Sequence, residues 1–218
     1  MRDEHCHILW DVDDGSPTFE TSIAMLDAAA RVGITDIVAT PHMRWDDFDV
    51  DKVQAHFQQL LPEAHNRRLS MTLGFEVYYS TLMRKGLHTA EQFVEAGTNK
   101  LLVEFNTARE MADGWDRVFY ELQTRYGLDL TLAHPERYIT VLDDFDTVYR
   151  LKDLDVHIQV SAADLFHKAP FFSRSPLRGM AKCARRIIDE GLCDALVSDA
   201  HNVEHYQSYA RAVKEFRR

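Results

Sequence analysis

Short apolar runs, each too brief for a helix, alternate along this chain with longer stretches of helical period. That alternation limits it to a narrow set of folds. The runs occupy residues 3–8, 34–40, 71–76, 101–104, 128–134, 156–161 and 195–199. All but the first, which is short and unusually polar, are rich in Val, Ile and Leu, as parallel strands covered on both faces are. Between them Ile23, Leu26 and Ala30 recur at helical spacing ahead of Gly33. Val53, Phe57, Leu60 and Leu61 form a stripe ahead of Pro62. Val118, Leu122 and Tyr126 do so ahead of Gly127, and Leu177, Met180, Ala181, Ala184, Ile187 and Ile188 ahead of Gly191. Strand–helix repetition of this kind predicts βα units around a parallel sheet, open or closed, and seven units in one domain favour a barrel. No linker, repeat or low-complexity tract interrupts the pattern. At 218 residues one core can bury roughly 70% of the unfolded chain's surface, so residues 1–218 are expected to form a single domain.

The chemistry-bearing residues fall at the ends of these runs. His5 and His7 form an HxH motif whose side chains share one face at period two, with Asp14 in the turn just beyond. His42 follows the second run, Glu76 closes the third, Glu104 the fourth and His134 the fifth, while Asp199 and His201 end the last. Taken singly, each has an ordinary reading. A glutamate ending a strand can turn to solvent, Asp199 can cap a following helix, and His134 can be a satisfied core histidine. Taken together they occupy equivalent positions, and a parallel βα barrel gathers its C-terminal strand ends on one rim, where active sites form. Five imidazoles and four carboxylates are too many donors for one ion and suit three divalent ions completed by water or substrate oxygens. A nitrogen and oxygen donor set without thiolate fits Mn, Fe or Zn better than Mg, Ca or Cu(I).

Composition narrows the partners. Against 25 Lys and Arg stand 35 Asp and Glu, a formal charge of −10, which speaks against gripping nucleic acid. Three divalent ions over four carboxylates would nevertheless leave the rim locally positive, so phosphate remains open as a ligand. Cys6, Cys183 and Cys193 show neither a disulfide framework nor a zinc pattern. Without an apolar leader or an 18-residue apolar run, a cytoplasmic protein with no membrane insertion is expected.

At this point the residues carry a family. His5-Cys6-His7 with Asp13-Asp14-Gly15, Thr40-Pro41-His42, Gly74-x-Glu76-x-Tyr78-Tyr79, Glu104-Phe105, Ala133-His134-Pro135-Glu136-Arg137-Tyr138 and Ser198-Asp199-x-His201-Asn202 resemble the polymerase-and-histidinol-phosphatase (PHP) superfamily. Within it the chain is most similar to the bacterial manganese-dependent protein-tyrosine phosphatases of capsule and exopolysaccharide gene clusters. The resemblance runs in order to about residue 205. It implies a distorted (β/α)7 TIM-like barrel, a trinuclear centre held by all nine residues above, and phosphomonoester hydrolysis by a metal-activated hydroxide. The implied substrate is phosphotyrosine on the tail of a bacterial tyrosine kinase, with Arg137 as the catalytic, phosphate-binding residue. Departures are Arg2, Asp3 and Glu4 where the family's first strand begins apolar, Val203-Glu204-His205-Tyr206 where it continues with arginine and prolines, and an end at Arg218 inside the expected last helix.

Alternatives in the same chemistry are histidinol-phosphate phosphatase or another small-molecule phosphoesterase. Outside it stands a non-catalytic metal-binding barrel. Amidohydrolases also begin with HxH but use a strand-end lysine, whereas Lys100 begins its strand. Cys6 reads as packing, since no CxxxxxR phosphate loop is present. His56, His65, His88, His157, His167 and His205 read as surface or helix residues. Arg44, Tyr79 and Arg109 lie in loops after rim motifs, where pocket lining is one reading and an exposed loop residue the preferred one.

Overall fold

The computed structural model describes residues 1–44, 48–168 and 179–216; Leu177 of the last predicted stripe lies outside the described residues. β1 (Arg2–Cys6) pairs in parallel with β2 (Asp36–Ala39), and β2 with β4 (Ser70–Leu73). β3 (His42–Met43) and β5 (Glu76–Tyr78) prolong β2 and β4 beyond short breaks and pair with each other. β6 (Lys100–Glu104), β7 (Asp129–Leu132), β8 (His157–Ser161) and β9 (Ala195–Val197) then follow in order, each parallel to the one before. A parallel bridge between Cys6 and Ala200 ties the end of β9 back to β1. His7 N donates to Ala200 O and Asp199 N to His5 O, both at 2.9 Å. The parallel sheet is thus curled until its first and last strands touch.

Run 71–76 is broken just short of Glu76, and the strand of run 34–40 stops at Ala39 and resumes only at His42, past the predicted end. Pro41 has no N–H for the ladder, and pairing resumes when Glu76 N donates to Pro41 O at 3.1 Å. The resumed register sets His42 directly opposite Glu76. Farther along, Tyr78 lies opposite Glu104. The breaks therefore aim three candidate ligands at neighbouring points.

Helices pack on the sheet with the predicted stripes inward. α1 (Phe19–Arg31) starts at Thr18, whose hydroxyl accepts from Thr21 N, and buries Met25, Leu26 and Ala29. α2 (Val50–Asn66) runs through Pro62 rather than stopping there, because its buried stripe of Val53, Phe57 and Leu60 continues to Ala64. The missing N–H is the kind of defect that costs about 3 kcal/mol in an isolated helix; packing of the flanking turns offsets it. α3 (Tyr79–Lys85) follows β5 directly, and Tyr79, expected in an exposed loop, is instead buried and stacked 4.4 Å from Phe105. α4 (Trp115–Tyr126) lies between left-handed Gly114 and Gly127 and adds Phe119 and Leu122 to the same core. Short α5 (Ile139–Asp143) and α6 (Asp146–Asp153) precede β8, α7 (Met180–Asp189) precedes β9, and α8 (Val203–Phe216) follows it. Among the described residues no helix is long and apolar enough to cross a membrane.

Polar stitches hold the strand ends where the site forms. The fully buried Tyr138 hydroxyl donates to Ala133 O at 2.7 Å and accepts from Phe105 N at 3.1 Å, joining the residues beside His134 and Glu104. The polar first strand also has its reason. Asp3 is fully buried, and its carboxylate accepts from Ser198 N at 2.9 Å and Ser198 Oγ at 2.6 Å, closing β1 onto the end of β9.

Burial pushes the Asp3 carboxyl up to about 6 from its ordinary 3.8, the Ser198 hydrogen bonds opposing the rise. A carboxyl that binds its proton more tightly when folded contributes stability that is complete at low pH and lost as pH rises through the folded value. In metal-free protein, Asp3→Asn should therefore gain stability relative to the parent by up to about 3 kcal/mol between about pH 4 and pH 7. Urea denaturation at both pH values checks this, and an unchanged difference would contradict it.

Candidate metal centre

His5 ends up inside the sheet and His7 just past its edge, with their Nε2 atoms 3.1 Å apart and both side chains fully buried. The other nitrogen of each ring is already committed. His5 Nδ1 lies 3.2 Å from Gln159 Oε1 on β8, and His7 Nδ1 lies 2.8 Å from Asp13 Oδ2. A carboxylate can only accept, so the proton of neutral His7 sits on Nδ1 and its Nε2 presents a lone pair; the Gln159 contact sets His5 the same way. Two lone pairs facing each other at this distance ask for a cation between them.

Glu76 is the hub. Its Oε2 lies 3.4 Å from Nε2 of both His5 and His7 and 2.6 Å from His42 Nδ1, while Oε1 lies 3.0 Å from His134 Nε2. Glu104 reaches His42 Nδ1 at 3.5 Å and His134 Nε2 at 3.7 Å. Asp199 Oδ1 stands 3.6 Å from His5 Nε2, 3.4 Å from His7 Nε2 and 3.6 Å from His201 Nδ1. Asp14 Oδ1 stands 3.3 Å from His42 Nε2 and 3.6 Å from His201 Nε2. All nine predicted residues are thus brought together. Eight of them fall into groups with ligand-sized spacing: His5, His7 and Asp199; His42, Glu76 and Glu104; and His7, Asp14, His42 and His201. His134 stands outside these groups and joins the cluster through its Nε2 contacts with Glu76 and Glu104. Asp14 is 59% exposed and His201 21%, against 5% or less for the other side chains in these pairs, so the cluster opens to solvent on that side.

The donors fit divalent metal by their own bonding deficit. His42 Nδ1, Glu76 Oε2 and Asp199 Oδ1 are buried with no hydrogen-bond partner, an expensive condition unless a cation completes them. The close approach of His42 Nδ1 to Glu76 Oε2 lacks hydrogen-bonding geometry and does not relieve it. Without metal, protons take over the role. Burial alone would lower His5, yet Glu76 and Asp199 hold it up to about 9, and His42 is likewise held up to about 10 despite its burial. Burial and the neighbouring Glu76 push Glu104 up to about 7. Burial would raise Asp199 too, but Arg137 and His5 keep it well below the carboxylate range.

Backbone strain marks the same place. His134 and Asp199 adopt left-handed conformations, with φ of 31° and 46°, which non-glycine residues hold mainly where the surroundings overdetermine them. The turn carrying Asp13 and Asp14 is pressed against His7, and Gly15 permits it. A Cβ there would lie 2.2 Å from His7 O and 2.5 Å from His7 Cβ.

Arg137 follows His134 in a short 3-10 turn, Pro135–Arg137. Its Nε donates to Asp164 Oδ2 and its Nη2 to Asp199 Oδ2, both at 2.6 Å. Burial opposes its charge, but Asp199 and Asp164 prevail and keep it firmly protonated.

Four contributors escaped the sequence reading. Asp13 stands out in the sequence only as part of the Asp13-Asp14-Gly15 motif, although it fixes the His7 tautomer. Gln159 is a mid-strand residue with no signal of its own. Asp164, three residues past β8, supplies the acidic group that the sixth strand end lacks. Arg44, expected on an exposed loop, places Nη2 at 2.7 Å from His42 Nε2 and Nη1 at 3.3 Å from Asp14 Oδ2. Arg109 is exposed as expected. Cys6 is fully buried, packs with Sγ 3.5 Å from Val38 O and is pushed far up by burial, so no thiolate is available. Of the remaining histidines, His65, His88, His157 and His167 are exposed. His56 is half-buried and stacks on Trp10, and His205 reaches the rim with Nδ1 3.1 Å from Asp199 O.

Comparison with known proteins places this arrangement. CapC of Staphylococcus aureus is 31% identical over 208 residues, covering 93% of this chain and 78% of that one. The tyrosine-protein phosphatase CpsB of Streptococcus agalactiae is 28% identical over 210 residues, 94% of this chain and 84% of that one. A solved structure from work on YwqE of Bacillus subtilis and CpsB of Streptococcus pneumoniae, described as metal-dependent tyrosine phosphatases, superposes with a TM-score of 0.78. It is 26% identical and covers 99% of this chain and 87% of that one. The dihydropyrimidinase of Brevibacillus agri, at 13% identity and a TM-score of 0.54, shares the fold alone. A family model for capsular polysaccharide synthesis, CpsB/CapC, matches residues 1–215. The chain belongs to the CpsB/CapC family.

Proposed function

We propose that this chain is a metal-dependent protein-tyrosine phosphatase that removes phosphate from phosphotyrosine on a bacterial tyrosine kinase in polysaccharide biosynthesis. Its relatives' names and the metal dependence of its structural neighbour support the reaction class. The observation that carries it in this chain is the pair of buried Nε2 lone pairs of His5 and His7, fixed by Gln159 and Asp13 and backed by Glu76 and Asp199. We assign His5, His7, Asp14, His42, Glu76, Glu104, His134, Asp199 and His201 as ligands of three divalent ions. Manganese is the first candidate, with iron or zinc compatible with the same donors. The curled sheet with its touching edge strands supports a distorted (β/α)7 barrel of the PHP type, formed as one domain. The free thiols of Cys6, Cys183 and Cys193 support a reducing, cytoplasmic setting.

Bound at these residues, divalent ions would supply Lewis-acid polarisation of the phosphoryl oxygens and a nucleophile from water at neutral pH. The chain's own residues do the rest. Asp164 and Asp199 hold Arg137 from two sides through Nε and Nη2, so its guanidinium meets the phosphoryl group in a fixed plane, suited to paired hydrogen bonds. The exposed pair Asp14 and His201 marks the side from which substrate enters. Tyrosinate, whose conjugate acid has a pKa of about 10, leaves with little help from a general acid.

The decisive assay pairs phosphotyrosine peptide with histidinol phosphate in the presence of Mn²⁺. Chelator-sensitive hydrolysis with preference for the peptide is expected; a strong preference for histidinol phosphate would replace the tyrosine reading, and no hydrolysis of either would remove the enzyme reading. Arg137→Ala should lower kcat/KM by about 10² to 10³ while metal content, measured by elemental analysis, stays constant. Loss of metal together with activity would make Arg137 a structural residue instead.

A further inference from the structure

Arg44 contacts the cluster, yet the proposed mechanism leaves it without a task. It directly follows β3, two residues beyond His42, and its guanidinium touches three candidate ligands. Nη2 lies 2.7 Å from His42 Nε2 and 3.5 Å from Glu104 Oε2, while Nη1 lies 3.3 Å from Asp14 Oδ2. Its main chain is pinned from α3, since Arg44 O accepts from Thr81 Oγ1 and from Arg84 Nη2. The side chain therefore moves, if it moves, about a fixed backbone. The aromatic face of Tyr78 lies 5.7 Å below the guanidinium carbon, and Nε is buried without a hydrogen-bond partner.

As a mere counter-ion this group is badly placed. Two of the atoms it approaches, His42 Nε2 and Glu104 Oε2, are ones a divalent ion would take, and two cations then compete for the same donors. Once metal is bound, a guanidinium pinned at this rim needs another anion. The side chain is 31% exposed and lies against Asp14, on the open side of the cluster. Arg137 sits at the far end of the contact chain that runs through Asp199, His7, Glu76 and His42 to Arg44. The two arginines thus reach the cluster from different strand ends and through different ligands, Arg137 through Asp199 and Arg44 through His42, Glu104 and Asp14.

We propose that Arg44 is a second phosphate-binding guanidinium of this site, gripping the phosphoryl group of the substrate at the open, Asp14 side of the cluster while resting on the Tyr78 ring. The proposal rests on the phosphatase reading above and goes beyond it by assigning the residue that holds the substrate's charge on the solvent side. A planar fork matches phosphate bidentately where an ammonium cannot, and the arene below keeps the plane fixed.

The test compares Mn²⁺-loaded wild type with Arg44→Gln and Arg44→Lys. Its readouts are titration calorimetry with inorganic phosphate, KM and kcat for a phosphotyrosine peptide, and elemental analysis of bound metal. The expected result is weaker phosphate binding and higher KM, each by about tenfold or more in Arg44→Gln and less in Arg44→Lys, with kcat reduced less than KM is raised. Phosphate affinity and KM equal to wild type in metal-replete Arg44→Gln would overturn the proposal. Should Arg44→Gln lose metal, Arg44→Lys decides, and wild-type phosphate affinity there would overturn it as well. If wild type itself fails to hydrolyse the peptide, the phosphatase reading falls, whatever Arg44 does.

Discussion

Two imidazole nitrogens held face to face are the constraint around which this protein is organised. His5 and His7 cannot rotate away, because Gln159 and Asp13 hold the far side of each ring and both side chains are fully enclosed. The rest of the rim answers their lone pairs. Glu76 stands within 3.4 Å of both, Asp199 within 3.6 Å, and their remaining oxygens are claimed by His134 and Arg137. The curled sheet exists in a form that brings these strand ends together. The breaks at Pro41 and Gly74, the Asp3–Ser198 clasp and the Tyr138 stitch are the local means by which it does so.

Such a cluster is costly to fold without its cations. Buried carboxylates and histidines must share protons, which is why His5 and His42 are held so far above an ordinary imidazole and Glu104 above an ordinary carboxylate. Ion pairs of this kind are weak sources of stability, since desolvation consumes much of the attraction. Metal bound at these residues would therefore be coupled to folding, ions replacing protons at atoms that the native chain has already positioned. The left-handed backbone at His134 and Asp199 belongs to the same account, as strain held at the site by the packing around it.

Much of this was legible in the sequence for a simple reason. Strand ends in a parallel sheet are equivalent positions, so recurrence of His, Asp and Glu after apolar runs points to one rim even when no single motif does. What escaped was whatever depends on contacts between distant segments. Gln159 looks like any polar residue of a strand, and its task appears only when β8 lies beside His5. Asp164 compensates for a strand end with no ligand, but from three residues into a turn. Tyr79 looked like a loop residue because α3 begins without a cap or a linker after β5. Asp3 looked like a departure from an apolar strand, and its reason, Ser198, stands 195 positions away. The helix through Pro62 shows tertiary packing overriding a local breaker, which no window of sequence can weigh.

The central claim is that His5 and His7 offer Nε2 to a shared cation. Anomalous scattering at the manganese edge from crystals grown with Mn²⁺ tests it most directly. A peak within bonding distance of the Nε2 atoms of both His5 and His7, with Asp199 completing the set, is expected. Absence of a peak there, or coordination through Nδ1 with the Asp13 and Gln159 contacts broken, would contradict it.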